Sequence, residues 1–172
     1  IELPFLQRVL ADFKLVPVLV GGLEEGEIAR AAETLRPLVG EDTLVIASSD
    51  FTHYGSRFGY TPFPADRDRL RALDFGAIET IVNRDAEGFW KYVDRTGITV
   101  CGHRPIAILL HLLPAQVVAT MVDYYTSGDV TGDFSNSVSY ASIVFTAHDQ
   151  YLDATEQYTL LTLGRSTLET HV

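Results

Sequence analysis

The sequence predicts an α/β fold, and three observations carry that prediction. Two β-branched apolar runs, KLVPVLVGG at 14–22 and TLVIAS at 43–48, flank a helix-like segment at 24–38. That order calls for a crossover connection and a parallel pair of buried strands. Two further runs, QVVATMVDYY and SVSYASIVFTA, are joined by TSGDVTGDFSN, a stretch rich in turn formers. With 47% hydrophobic residues in 172, the chain carries enough apolar surface for one domain and a core.

The elements follow in order. Leu3, Leu6, Val9, Leu10 and Phe13 recur at helical spacing, so residues 1–13 read as a helix. Pro4 is tolerated there because a first helical turn has no use for its missing N–H. Glu24, Glu25 and Glu27 open the helix at 24–38, where carboxylates suit the positive end of the dipole. Residues 64–82 carry charge on one face and Leu70, Leu73, Ile78 and Ile81 on the other, which predicts a helix. A second covers 85–95, around Phe89, Trp90 and Val93. RPIAILLHLLP reads as a short buried helix, with Pro105 near its first turn and Pro114 ending it. HDQYLD, 148–153, then breaks the pattern with polar residues. From Ala154 helical spacing resumes, with Tyr158, Leu161 and Leu168 apolar. The chain opens at Ile1 inside one helical pattern and stops at Val172 inside another, so a piece of a longer protein is expected.

Composition narrows the function. A net charge of −10 speaks against nucleic acid, because phosphate binding needs clustered Lys and Arg. No apolar run reaches the length of a membrane span, and no signal peptide opens the chain, so no membrane partner is expected. The single cysteine, Cys101, rules out an internal disulfide, and a reducing, cytoplasmic compartment is the expectation. VGGLEEGE has glycines after a strand but lacks a phosphate-binding spacing, and its glutamates repel phosphate, so no nucleotide is expected. SGDVTGD carries Asp129 and Asp133 but not the alternating ligands of a calcium loop, and reads as a turn.

Two motifs remain. In SSDFTHYG, 48–55, an apolar run ends abruptly in Ser48, Ser49, Asp50 and then His53. One reading makes Ser49 and Asp50 turn caps, with His53 packed against Tyr54 and Phe58. The other places Asp50 and His53 at the carboxyl end of a strand, where open α/β sheets put their ligand crevices. Local chemistry alone favours the caps. In TVCGHRPI, 99–106, Cys101 precedes a helix N-terminus and Arg104 follows closely. Helix dipole and positive charge both favour a thiolate, the form that binds metal or attacks an electrophile, whereas an inert small core residue is the alternative. His103 suits a turn, and His111 a hydrogen-bonded core or boundary position.

Taken together, IELPFLQRVL, PVLVGG, SSDFTHYGSRFGY, TVCGHRPI, YYTSGDVTGD and SVSYASIVF, in this order, resemble the carboxyl-terminal half of the Memo family over about residues 1–147. That family is similar in fold to class III extradiol dioxygenases of the LigB type. The resemblance implies a three-layer α/β/α fold with a mixed sheet, present here as a partial domain. It also implies a metal- or redox-type pocket for iron or copper. His53 and Cys101 match the family's histidine and cysteine ligands, and Asp50 its neighbouring acidic residue. Ser49 and Arg104 would support them. The family's other histidines lie in its amino-terminal half, so the site would be incomplete here. A cysteine departs from the two-histidine, one-carboxylate pattern of the dioxygenases, which bears against oxygenase activity. An active iron-dependent dioxygenase-like enzyme and a non-catalytic peptide- or partner-binding module remain alternatives. In bacteria and archaea such proteins form protein B of the AmmeMemoRadiSam system, which implies a radical SAM protein and an Amme domain as partners. LDATEQYTLLTLGRSTLETHV is similar to the opening helix of that Amme domain. Residues 148–153 would then be a linker, and 154–172 either the start of a second domain or a closing helix.

Overall fold

The computed structural model describes residues 2–147 together with Thr155 and Tyr158. It is a mixed α/β structure. Six helices, α1 (Leu3–Val9), α2 (Glu25–Leu35), α3 (Arg67–Val82), α4 (Ala86–Thr96), α5 (His103–Leu112) and α6 (Ser127–Thr131), accompany three strands among the described residues. The strands are β1 (His53–Gly55), β2 (Val117–Thr126) and β3 (Asn136–Ala147), in spatial order β1-β3-β2.

The helices start where their side chains can satisfy the free N–H groups of a first turn. The Asp66 carboxylate accepts from Arg69 N–H at 2.8 Å to begin α3, and Asp85 accepts from Gly88 N–H at 2.8 Å to begin α4. Glu27 reaches back to Glu24 N–H at 3.0 Å to begin α2. At the other end of α5, the Arg36 guanidinium donates to the His111 and Leu112 carbonyls, at 2.7 and 3.3 Å. α1 is shorter than its apolar spacing predicts, since the chain turns extended at Leu10.

β2 and β3 form a long antiparallel pair, running from Val117 opposite Ala147 to Thr126 opposite Ser139. The connection expected to be a turn contains the short helix α6, closed by Gly132 in the left-handed region. β1 was not expected as a strand. It pairs antiparallel with β3, with His53 opposite Val138 and Gly55 opposite Asn136. α3, α4 and α5 pack with α2 against this sheet around Ile28, Phe51, Ile78, Phe89, Val100 and Ile108.

The expected parallel pair differs most. Residues 14–20 and 43–47 belong to no helix or strand and, apart from Thr43 N–H donating to the Gly40 carbonyl at 3.0 Å, make no backbone hydrogen bond among the described residues. Their apolar side chains stand largely in solvent, Leu19 at 99% and Val16 at 75% exposure. Only Val20 and Ala47 reach the core. The apolar runs have the composition of buried strands, but a strand is made by its ladder partner, and none lies beside them among the described residues. The linker at 148–153 and most of the tail fall outside the described residues. Thr155 and Tyr158 are helical, and Tyr158 is exposed.

Gly55 has a backbone φ of 122°, and a Cβ there would lie 2.4 Å from the Ser135 carbonyl oxygen. Gly55→Ala is expected to destabilise the chain by about 1–3 kcal/mol, read by equilibrium urea denaturation. Unchanged stability would mean that β1 can shift along β3 without cost.

Candidate metal- or redox-type site

The segment Ser48–Gly55 runs between β3 and Thr99–Gly102, the approach to α5. The two segments are clasped by polar contacts. The Thr99 hydroxyl accepts from His53 N–H at 2.7 Å and donates to the His53 carbonyl at 3.0 Å. Asp50 N–H donates to Cys101 Sγ at 3.2 Å. Gly102 N–H donates to Ser49 Oγ at 2.8 Å, and that hydroxyl donates to the Asp50 carbonyl at 2.7 Å. This approach needs glycine at 102, because a Cβ there would sit 2.5 Å from Ser49 Cβ and 2.6 Å from the Ser48 carbonyl oxygen.

The clasp fixes the chemistry of His53. Its Nδ1 lies 3.0 Å from the Thr99 carbonyl oxygen. A carbonyl only accepts, so Nδ1 carries a proton and Nε2 is the ring nitrogen that faces away from the clasp. Nε2 faces Asp50 Oδ2 at 3.6 Å, beyond hydrogen-bond range. An imidazole nitrogen and a carboxylate turned toward each other can share a proton or a cation between them. Phe58 closes one side edge-on, its ring centroid 5.3 Å from that of His53. Cys101 is free and exposed.

The sequence-predicted residues therefore divide. Cys101 Sγ touches Ser49 and the Asp50 backbone, and the His53 ring faces the Asp50 carboxylate. Arg104 does its bonding elsewhere, with Nε donating to the Leu23 carbonyl at 2.7 Å and tying α5 to the approach to α2. His103 bonds through Nδ1 to the Val100 carbonyl at 3.1 Å and leans on Trp90, as a turn histidine would. His111 is exposed near the end of α5. Among the described residues no three His, Cys, Asp or Glu side chains form a group that can hold a metal ion. The imidazole, thiol and carboxylate are nevertheless donor types that suit iron or copper as part of a larger ligand set.

Behind this face lies a second group that the motifs did not disclose. Asp74, on α3, and Thr52 are both fully buried. Asp74 Oδ1 accepts from Thr52 N–H at 3.2 Å and from its hydroxyl at 2.6 Å, and Oδ2 accepts from Tyr124 Oη at 2.6 Å. Ser139 Oγ is buried and close enough to favour the charged carboxylate, yet makes no hydrogen bond of good geometry. Loss of solvent outweighs these donors and raises the Asp74 pKa, and burial beside that carboxylate raises Tyr124 far above the usual phenol range. A signal did exist: Leu70, Asp74 and Ile78 stand four apart, which puts a carboxylate on the apolar face of α3. On the front face, Tyr125 and Tyr140 stand opposite each other with ring centroids 5.1 Å apart. Burial first, and then nearby carboxylates including Asp50, push both phenols up.

The fold is α/β, and two adjoining segments of it place the His53 imidazole near the Asp50 carboxylate and Cys101 Sγ on the Asp50 backbone. The profile of the family described as Memo-like protein matches residues 1–144, and the chain belongs to that family. A MEMO1 family protein of Thermococcus kodakarensis is 34% identical over 158 residues, covering 84% of this chain and 54% of that protein. One from Archaeoglobus fulgidus is 36% identical over 149 residues, covering 84% and 53%. One from Methanosarcina mazei is 34% identical over 150 residues, covering 84% and 52%. The chain thus spans about half the length of the curated relatives it matches.

Two outcomes follow. Gly102→Ala should force the two segments apart and cost about 1–3 kcal/mol, with loss of the Asp50–Cys101 contact in a structure of the variant. The second concerns pH. Because the folded Asp74 carboxyl titrates above its ordinary value of 3.8, the native chain holds a proton that the unfolded chain has lost. Stability should therefore fall as pH rises from the ordinary value through the raised one, and stay lower beyond it. Asp74→Asn should flatten that limb in urea denaturation at a series of pH values. A limb that persists in the variant would belong to another group.

Proposed function

We propose that the chain forms one wall of a metal- or redox-type pocket in a Memo-like protein. The observation that carries this reading is His53 Nε2, left facing the Asp50 carboxylate at 3.6 Å while Nδ1 bonds the Thr99 carbonyl, with Cys101 Sγ accepting from the Asp50 backbone N–H. His53 and Cys101 would hold iron or copper, with Asp50 as a further ligand or as the group that orients them. A bound ion there would supply Lewis acidity or a one-electron couple. Thr99 keeps the imidazole in one orientation, and Phe58 shields one side of the ring. The remaining ligands would come from the part of the family's length that this chain does not span. In that complete protein the site would act beside a radical SAM protein and an Amme domain of the same system.

Cys101 separates this reading from an iron-dependent dioxygenase, since a soft sulfur ligand would suit redox or copper chemistry better than oxygen activation on a two-histidine, one-carboxylate site. Oxygen consumption with catechols would favour the dioxygenase. Absence of any bound metal in the complete protein would favour a binding module. In that protein Cys101→Ser should weaken iron or copper binding by more than about tenfold, and His103→Ala by much less. Metal titration of both variants, and of this chain against the complete protein, is the measurement. A larger loss from His103→Ala would move the site to the other residue of CGHRP. Equal affinity in this chain and the complete protein would remove the upstream ligands from the proposal.

A further inference from the structure

Asp50 and His53 should not face the same way. They are three residues apart, and along a regular strand an odd separation puts side chains on opposite faces. Yet Asp50 Oδ2 and His53 Nε2 lie 3.6 Å apart.

The hydrogen bonds to β3 explain this. Phe51 N–H donates to the Ser139 carbonyl at 2.8 Å, while Ser139 N–H donates to the Thr52 carbonyl at 2.9 Å. Two residues, Phe51 and Thr52, stand opposite one, which is the pattern of a β-bulge. The extra residue advances the phase by one. His53 sits opposite Val138, Thr52 and Phe51 share Ser139, and Asp50 comes opposite Tyr140, on the His53 face. Burial raises the Tyr140 phenol most, and the further rise from the Asp50 charge agrees with that placement. Phe51 and Thr52 both turn to the opposite face and are buried.

The offset leaves Thr52 N–H without a ladder acceptor, and Asp74 accepts it. The same carboxylate oxygen accepts the Thr52 hydroxyl at 2.6 Å. No ion pair to Asp74 exists among the described residues. A buried carboxylate without a cation costs free energy that a leucine at this position would not, so packing alone does not account for the residue. We propose that Asp74 is the positioning residue of the site: by accepting the Thr52 N–H and hydroxyl it fixes the two-against-one offset, and the offset turns Asp50 and His53 to one face beside Cys101. What that face is for rests on the metal-type reading above; the offset itself does not.

The test uses the 172-residue chain. The first readout is the nuclear Overhauser contact between the Asp50 β protons and the His53 ring, which needs no metal. Asp74→Asn keeps an oxygen acceptor and should keep the contact. Asp74→Leu should abolish it and lower Fe(II) affinity about 10- to 100-fold. Thr52→Val, which is isosteric and spares the buried carboxyl, should weaken the contact in the same direction and serves if Asp74→Leu does not fold. Tyr124→Phe removes a donor that does not touch the loop and should leave the contact intact. A contact unchanged in Thr52→Val and in folded Asp74→Leu overturns the proposal, as does its loss in Asp74→Asn. A wild-type chain that shows the contact but takes up no Fe(II), in a complete protein that also takes up none, refutes the metal-type reading and leaves the positioning role standing.

Discussion

One backbone N–H, that of Thr52, sets the arrangement. A buried N–H must find an acceptor, and this one finds it in a helix side chain instead of in the sheet. From that diversion the two faces of the small sheet take separate duties. The inner face gathers Phe51, Thr52, Tyr124 and Ser139 against α3. The outer face gathers Asp50, His53, Tyr125 and Tyr140. A helix that supplies the core also supplies the group that orients the polar face, so core and site are mechanically one object.

The second constraint is the closeness of the loops. Ser49, Asp50 and His53 are tied to Thr99, Cys101 and Gly102 by side-chain and backbone contacts that leave little play. Such a clasp fixes the orientation of the imidazole ring through Nδ1 and the His53 backbone. It also explains why the two motifs of the sequence occur together: each satisfies polar groups of the other, and neither would hold its geometry alone.

Much of this was legible in the residues, for reasons that differ by element. α3 and α4 announce themselves through apolar spacing and through Asp66 and Asp85, whose caps act within three residues. β2 and β3 are long, β-branched and joined by turn formers. Ser49, Asp50, His53 and Cys101 could be singled out because their chemistry is conspicuous. What could not be read was pairing. Nothing in HYG says that it lies beside Asn136–Val138, and nothing in KLVPVLV or TLVIAS says which ladder they join. The bulge is equally silent, because it is a relation between Phe51, Thr52 and Ser139, far apart in sequence. Asp74 was half legible: its place on an apolar helix face is visible, but its donors are not. Arg104 misled for a related reason, since nearness along the chain to Cys101 did not decide where its guanidinium bonds.

The segments around Leu19 and Leu44 carry a colloidal consequence. Each offers apolar side chains together with a main chain that has no ladder partner among the described residues, the combination that sheets pair through. Against it stands a net charge of −10, which holds copies of the chain apart over about a Debye length. Salt shortens that reach and leaves the apolar attraction untouched. Dispersal of this chain in water is therefore an electrostatic condition, strongest at low ionic strength and above its sequence pI of about 4.8.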